Sequence, residues 1–157
     1  GRAHHDRVMA DTLPPAPRPQ LAVSAAIFRD SRLLLVRRAV EPARGFYSLP
    51  GGRVEFGETL TQAVAREVRE ETGLAIDVVG LAAFREVLPD AGRGQSGHYV
   101  ILSFAARWTA GEVQLNEELD DAQWRAPEAF ADLPTTAGLA GVVDAAQGLI
   151  AALRPPS

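Results

Sequence analysis

Cysteine is absent from the 157-residue sequence, and methionine occurs once. Without a thiol there is no disulfide framework, no cysteine-ligated zinc site and no cysteine nucleophile. No apolar stretch approaches the roughly 20 residues that a membrane-spanning helix needs. Basic residues are too few for a nucleic-acid-binding face: 16 Lys+Arg against 20 Asp+Glu leave a net charge of −4. Neither a membrane nor duplex nucleic acid is therefore expected as a partner. The acidic balance does not exclude a phosphate-bearing substrate, because a divalent cation can bridge an acidic site and an anion. What is present, 46% hydrophobic and 23% charged residues, suits one folded domain of ordinary size.

Residues 1–19 stand apart from the rest. Gly1 to Arg7 (GRAHHDR) carries His4 and His5 and precedes Met9, and Pro14, Pro15, Pro17 and Pro19 make an extended lead-in. This stretch reads as a tag remnant and flexible leader, its histidines belonging to the tag and not to a metal site. Residues 20–157 read as a single domain. No apolar segment follows a basic start, so no secretory signal is read and a cytoplasmic location is expected.

Gln20 to Phe28 and Arg32 to Arg38 read as strands joined by Arg29-Asp30-Ser31, an antiparallel hairpin. Tyr47 to Leu49 can return to the sheet, and a sharp turn is expected at Pro50-Gly51-Gly52. Thr59 and Gln62 form a capping-box pair at the start of a helix that Gly73 stops. Val64, Ala65, Val68 and Thr72 share its apolar side. Ala75 to Val87 reads as a strand bent near Gly80, Pro89 to Gly97 as a mobile loop, and Tyr99 to Trp108 as a strand buried on both faces. A short strand at Ala122 to Arg125, a short helix at Pro127 to Leu133 and an Ala-rich helix at Leu139 to Leu153 follow. This order implies an α/β fold: a mixed sheet covered on two sides.

The chemistry is concentrated between Gly52 and Leu74, GRVEFGETLTQAVAREVREETGL. At about 100° per residue, Glu67, Glu70 and Glu71 project within one arc beside the apolar side. Solvated glutamates paired with arginines are the ordinary reading of such a run, and Arg66 with Glu70 is an i, i+4 pair. Glu70 and Glu71 nevertheless crowd like charges into the last turn, where the helix dipole disfavours them. Compensation by a bound cation resolves this, and all-oxygen donors point to Mg2+ or Mn2+.

The stretch resembles the Nudix box, Gx5Ex7REUxEExGU with U a bulky aliphatic residue. Gly52, Glu58, Arg66, Glu67, Val68, Glu70, Glu71, Gly73 and Leu74 match every fixed position. The resemblance implies an α/β/α sandwich that hydrolyses nucleoside diphosphates linked to another moiety, using divalent cations. By the same resemblance Glu67, Glu70 and Glu71 hold the metal, Gly51 or Gly52 adds a backbone carbonyl, Arg66 orients the acidic cluster, and Glu58 supports it. Glu70 and Glu118 are alternative candidates for the base. Outside the box, Arg37, Arg38, Tyr47 and Arg93 are candidates for substrate contacts, and strand alternation lets only one of the two adjacent arginines face the site. A nucleoside diphosphate sugar such as ADP-ribose is the leading substrate. A MutT-like nucleoside triphosphate pyrophosphohydrolase and a non-catalytic nucleotide sensor are the alternatives. Homodimers are common among similar proteins, but no segment here marks an interface.

Overall fold

The computed structural model describes residues 17–153. Most of the expected leader, including His4, His5 and Met9, lies outside the described residues. Seven strands form one mixed sheet. They are β1 (Gln20–Arg29), β2 (Arg32–Arg38), β3 (Tyr47–Ser48), β4 (Gly51–Arg53), β5 (Ala75–Val87), β6 (Tyr99–Ala110) and β7 (Leu119–Arg125), and the principal order is β3-β2-β1-β6-β5. β4 pairs with β1, β7 pairs with β2, and β1 runs parallel to β6 at the centre. The two helices are α1 (Leu60–Thr72) and α2 (Leu139–Ala152).

Period-two alternation splits the core in two. Val23, Ala25 and Ile27 of β1 face Ala63, Val64 and Val68 of α1. Ala26 and Phe28 turn the other way, toward Leu139, Val143 and Ala146 of α2. The expected α/β/α sandwich with a mixed sheet is therefore the observed fold. β1 and β6 are buried on both faces over Ala25–Phe28 and Phe104–Ala106, and both stretches are accordingly apolar. Among the described residues no helix is long and apolar enough to cross a membrane.

Helix α1 begins and ends as its sequence dictates. Gln62 N–H donates to Thr59 Oγ1 at 3.1 Å, and Thr59 N–H donates to Gln62 Oε1 at 2.9 Å. Gly73 closes it with φ +76°. Its buried side contains Ala63 where Ala65 was expected, and it also takes in Glu71.

Two local expectations give way. Pro50-Gly51-Gly52 does not turn sharply: Gly51 and Gly52 run as β4 against Ser24 and Val23 of β1. The glycines make this approach sterically feasible, since a Cβ on Gly51 would stand 2.0 Å from the Val23 carbonyl oxygen. Pro127 to Leu133 forms isolated turns in place of a helix, with Ala129 N–H reaching the Ala126 carbonyl and Leu133 N–H the Phe130 carbonyl. A segment of that length bounded by prolines cannot repay helix nucleation, and the buried Phe130 anchors it instead. Pro89 to Gly97 is organised by Asp90, whose backbone exchanges hydrogen bonds with Gln95 and whose carboxylate accepts from Gly92 N–H at 3.1 Å. The β1–β2 hairpin turns on two residues, Asp30 and Ser31, both at positive φ.

Candidate active site

Where β4 joins the edge of β1, a cleft of about 720 Å³ opens between α1 and the start of α2. Glu67, Glu71, Glu118 and Arg38 line one end of it. Helical spacing brings the first two together on α1; Glu118 arrives from the segment before β7, which hydrogen bonds to Ala39 through its own carbonyl.

Glu71 is the most unusual charged group in the fold. It is only 5% exposed, and Gly51 N–H donates to its Oε1 at 2.9 Å. Burial pushes its carboxyl up to about 7, against the opposing effect of the Gly51 bond; the nearby charges of Glu67 and Glu118 push it further the same way. Glu67 is also raised, first by burial, with Arg66 opposing.

Arg66 organises the neighbouring carboxylates. Its Nε and Nη2 donate to Glu58 at 2.7 and 2.9 Å, and its Nη1 donates to Glu67 at 2.8 Å and Glu70 at 3.2 Å. Nη2 also donates to the Arg53 carbonyl at 3.0 Å, tying α1 to β4. The fork holds Glu58 at about 2, well below the ordinary carboxylate range. Ionised Glu58 therefore stabilises the fold above its unfolded value near 4.5, and this contribution is lost as pH falls toward 2. Glu58→Gln is expected to flatten that acid limb in urea titrations; an unchanged limb would contradict the pairing.

Gly52 leaves room for the Glu67 carboxylate of the same cluster. A Cβ there would stand 2.3 Å from Glu67 Oε2. Gly52→Ala is expected to displace the Glu67 carboxylate and cut activity while the far-ultraviolet circular dichroism stays native; full activity would contradict this packing.

The remaining candidates separate clearly. Arg38 lines the cleft, its Nε donating to the Pro42 carbonyl at 2.6 Å. Arg37 lies outside it, paired with Asp120 at 2.6 Å and placed over the Tyr47 ring. Tyr47 is 3% exposed in the α2-side core, and its hydroxyl donates to Asp121. A buried ring cannot stack on a base. Arg93 is exposed in the Asp90 turn and does not line the cleft. Glu70 points outward, its side chain 56% exposed, and also lies off the cleft lining. Gly51 lines the cleft and offers its N–H to Glu71. Sequence reasoning missed Ser24, Ser103 and Arg85, which line the same cleft; Ser24 interrupting an apolar central strand was the available signal.

Among the described residues no three His, Cys, Asp or Glu side chains already stand at ligand spacing. The donor set nonetheless fits a hard divalent cation. Glu71 is a buried carboxylate whose one hydrogen bond comes from a neutral amide, and it shares its surroundings with Glu67 and Glu118.

This fold and site define a Nudix hydrolase domain, and comparison with known proteins agrees: the NUDIX domain family model matches residues 18–146. The chain belongs to the NUDIX family. It is 36% identical over 106 residues to the ADP-ribose pyrophosphatase of Methanocaldococcus jannaschii, covering 68% of this chain and 61% of that protein. It is 36% identical over 113 residues to the human 8-oxo-dGDP phosphatase NUDT18, covering 68% of this chain and 32% of that one. The chain thus spans less than two thirds of either curated relative. The crystal structure of a MutT NUDIX hydrolase from Burkholderia pseudomallei superposes with a TM-score of 0.72 at 31% identity, covering 81% of this chain and 97% of that one.

Proposed function

We propose that this chain hydrolyses the diphosphate bridge of a nucleoside diphosphate derivative, with ADP-ribose or a related nucleotide sugar as substrate. The observation that carries the reading is buried Glu71 at the head of a substrate-sized cleft, with Glu67 and Glu118 beside it and, among the described residues, no arginine bonded to it. A divalent cation, Mg2+ or Mn2+, held by Glu67 and Glu71 would neutralise diphosphate charge and make a bound water more acidic.

The chain's own groups supply the rest. Arg38 lines the cleft and can donate a charged hydrogen bond to a phosphate oxygen. Arg66 holds Glu67 and Glu58 in place from outside the cleft. Of the two candidate bases, Glu118 is favoured because it lines the cleft, exposed at its rim, whereas Glu70 faces solvent. Both carboxylate groups near Glu71 raise its proton affinity, so the ionised form that ligation requires gains population as pH rises through about 7.

A second reading, hydrolysis of a nucleoside di- or triphosphate in the manner of MutT, draws support from the names of the human relative and the Burkholderia structure. A screen of nucleoside diphosphate compounds with Mg2+ in oxygen-18 water separates the two. Release of a nucleoside monophosphate and a sugar phosphate from ADP-ribose, with label on one of them, is expected. Turnover confined to nucleoside di- or triphosphates would favour the second reading, and no phosphorus product from any compound would overturn both.

A further inference from the structure

The register of the sheet places the far end of the cleft with little freedom. Arg85 of β5 stands opposite Ile101 of β6, Ile101 beside Ala22 of β1, and Ala22 opposite Arg53 of β4. One row over, Ser103 lies beside Ser24 and Ser24 opposite Gly51, the residue whose N–H holds Glu71. The first row crosses four strands and, at about 4.8 Å per spacing, spans about 14 Å. That span is comparable with the reach from a nucleotide's base to its diphosphate.

Little side-chain bulk stands on much of the floor between the two ends. Ala22, Ser24 and Ser103 have small side chains, and the two serine hydroxyls bond each other at 2.8 Å. Ile101 adds apolar surface to that floor, and Val87 and Val142 add more to the lining of the cleft. Small side chains together with apolar surface suit a planar ring better than a free phosphate or a hydrated sugar.

Arg85 closes that end. It is half-buried, lines the cleft, and among the described residues has no carboxylate within ion-pair distance. Its stem runs past Gly138, where a Cβ would stand 3.5 Å from Arg85 Cδ, so the absent side chain at the head of α2 leaves room for it. The contrast with Arg66 and Arg37, both paired with carboxylates, is direct. A guanidinium has five donors and no acceptor, so the group that meets it must bring acceptors.

We infer that Arg85 is a specificity-determining residue: it recognises the acceptor edge of a nucleobase lying on the Ala22–Ser24–Ile101–Ser103 floor, remote from the bond that is broken. This deepens the proposed function and rests on its reading of the cleft as a nucleotide site. Its test is independent of turnover. Binding of AMP, GMP, CMP and UMP is measured by calorimetry against abasic ribose 5-phosphate, for the wild type, Arg85→Ala, Arg85→Lys and Glu71→Gln.

The wild type is expected to bind at least one nucleotide about ten-fold more tightly than ribose 5-phosphate, a gap of about 1.4 kcal/mol. Arg85→Ala should erase the gap, Arg85→Lys should restore part of it, and Glu71→Gln should leave it intact. A gap that survives in Arg85→Ala, or no gap in the wild type, overturns the inference. A gap that depends on Arg85 in a protein that hydrolyses none of the diphosphates would sink the proposed reaction and leave this inference standing.

Discussion

Glu71→Gln is expected to lower the rate of diphosphate hydrolysis by about a hundred-fold or more, while making the metal-free protein more stable at pH 8. The two effects have one cause. Glutamine keeps the carbonyl-type oxygen that accepts the Gly51 N–H, so β4 and α1 stay joined. What disappears is a carboxylate that burial drives up to about 7 from 4.5. For a group raised in the folded state, the associated stability is fully present below the unfolded value. It is lost as pH climbs through the folded one. At pH 8 the wild type therefore holds an ionised, 5%-exposed carboxylate without a cation, at a cost on the order of 2 kcal/mol. Relief of that cost should raise the melting temperature by about 5 °C. Below pH 4.5 the two proteins should melt alike, since Glu71 is protonated in both states there. A variant that is equally active, or one destabilised at pH 8, would show that Glu71 serves only to hold the fold.

Arg66→Ala is expected to have the largest effect on stability. Arg66 bonds Glu58 twice, Glu67, Glu70 and the Arg53 carbonyl. Exposed pairs of this kind contribute little individually. Here both Glu58 and Glu67 side chains are 15% exposed, so removing Arg66 leaves two partly buried carboxylates without their guanidinium partner. The cost is expected to fall short of that of a fully buried pair but to lower the melting temperature clearly, because several bonds go at once. Arg66→Lys should recover little, because an ammonium cannot reproduce the fork on Glu58 together with the reach to Arg53. Calorimetric melts of both variants check this, and an Arg66→Ala protein that melts with the wild type would refute the hub role.

Much of this was legible before any coordinates. The capping box at Thr59, the stop at Gly73 and the convergence of Glu67 with Glu71 follow from local rules that need no tertiary context. Three carboxylates within one arc could not be ranked by spacing alone, however. A modest rotation of α1 separates buried Glu71 from exposed Glu70, and packing against the sheet sets that rotation. The choice between Arg37 and Arg38 depended likewise on a register shift in the β2–β7 pairing at those two residues. Tyr47 stood as a candidate substrate contact, but its pairing with Arg37 and its bond to Asp121 draw the ring into the core. Arg85 could not be found from sequence, because its relation to Ser24 exists only through the lateral order of β5, β6 and β1.

The central claim is that Glu67, Glu71 and Glu118 surround one divalent-cation site and that Glu70 stands outside it. Mn2+ titration followed by electron paramagnetic resonance tests this on the wild type and the four single Glu→Gln variants. The account predicts affinity at least about ten-fold weaker for the Glu67 and Glu71 variants, a smaller loss at Glu118, and near-native binding at Glu70. Unaltered affinity in Glu71→Gln, or the greatest loss at Glu70, would contradict it.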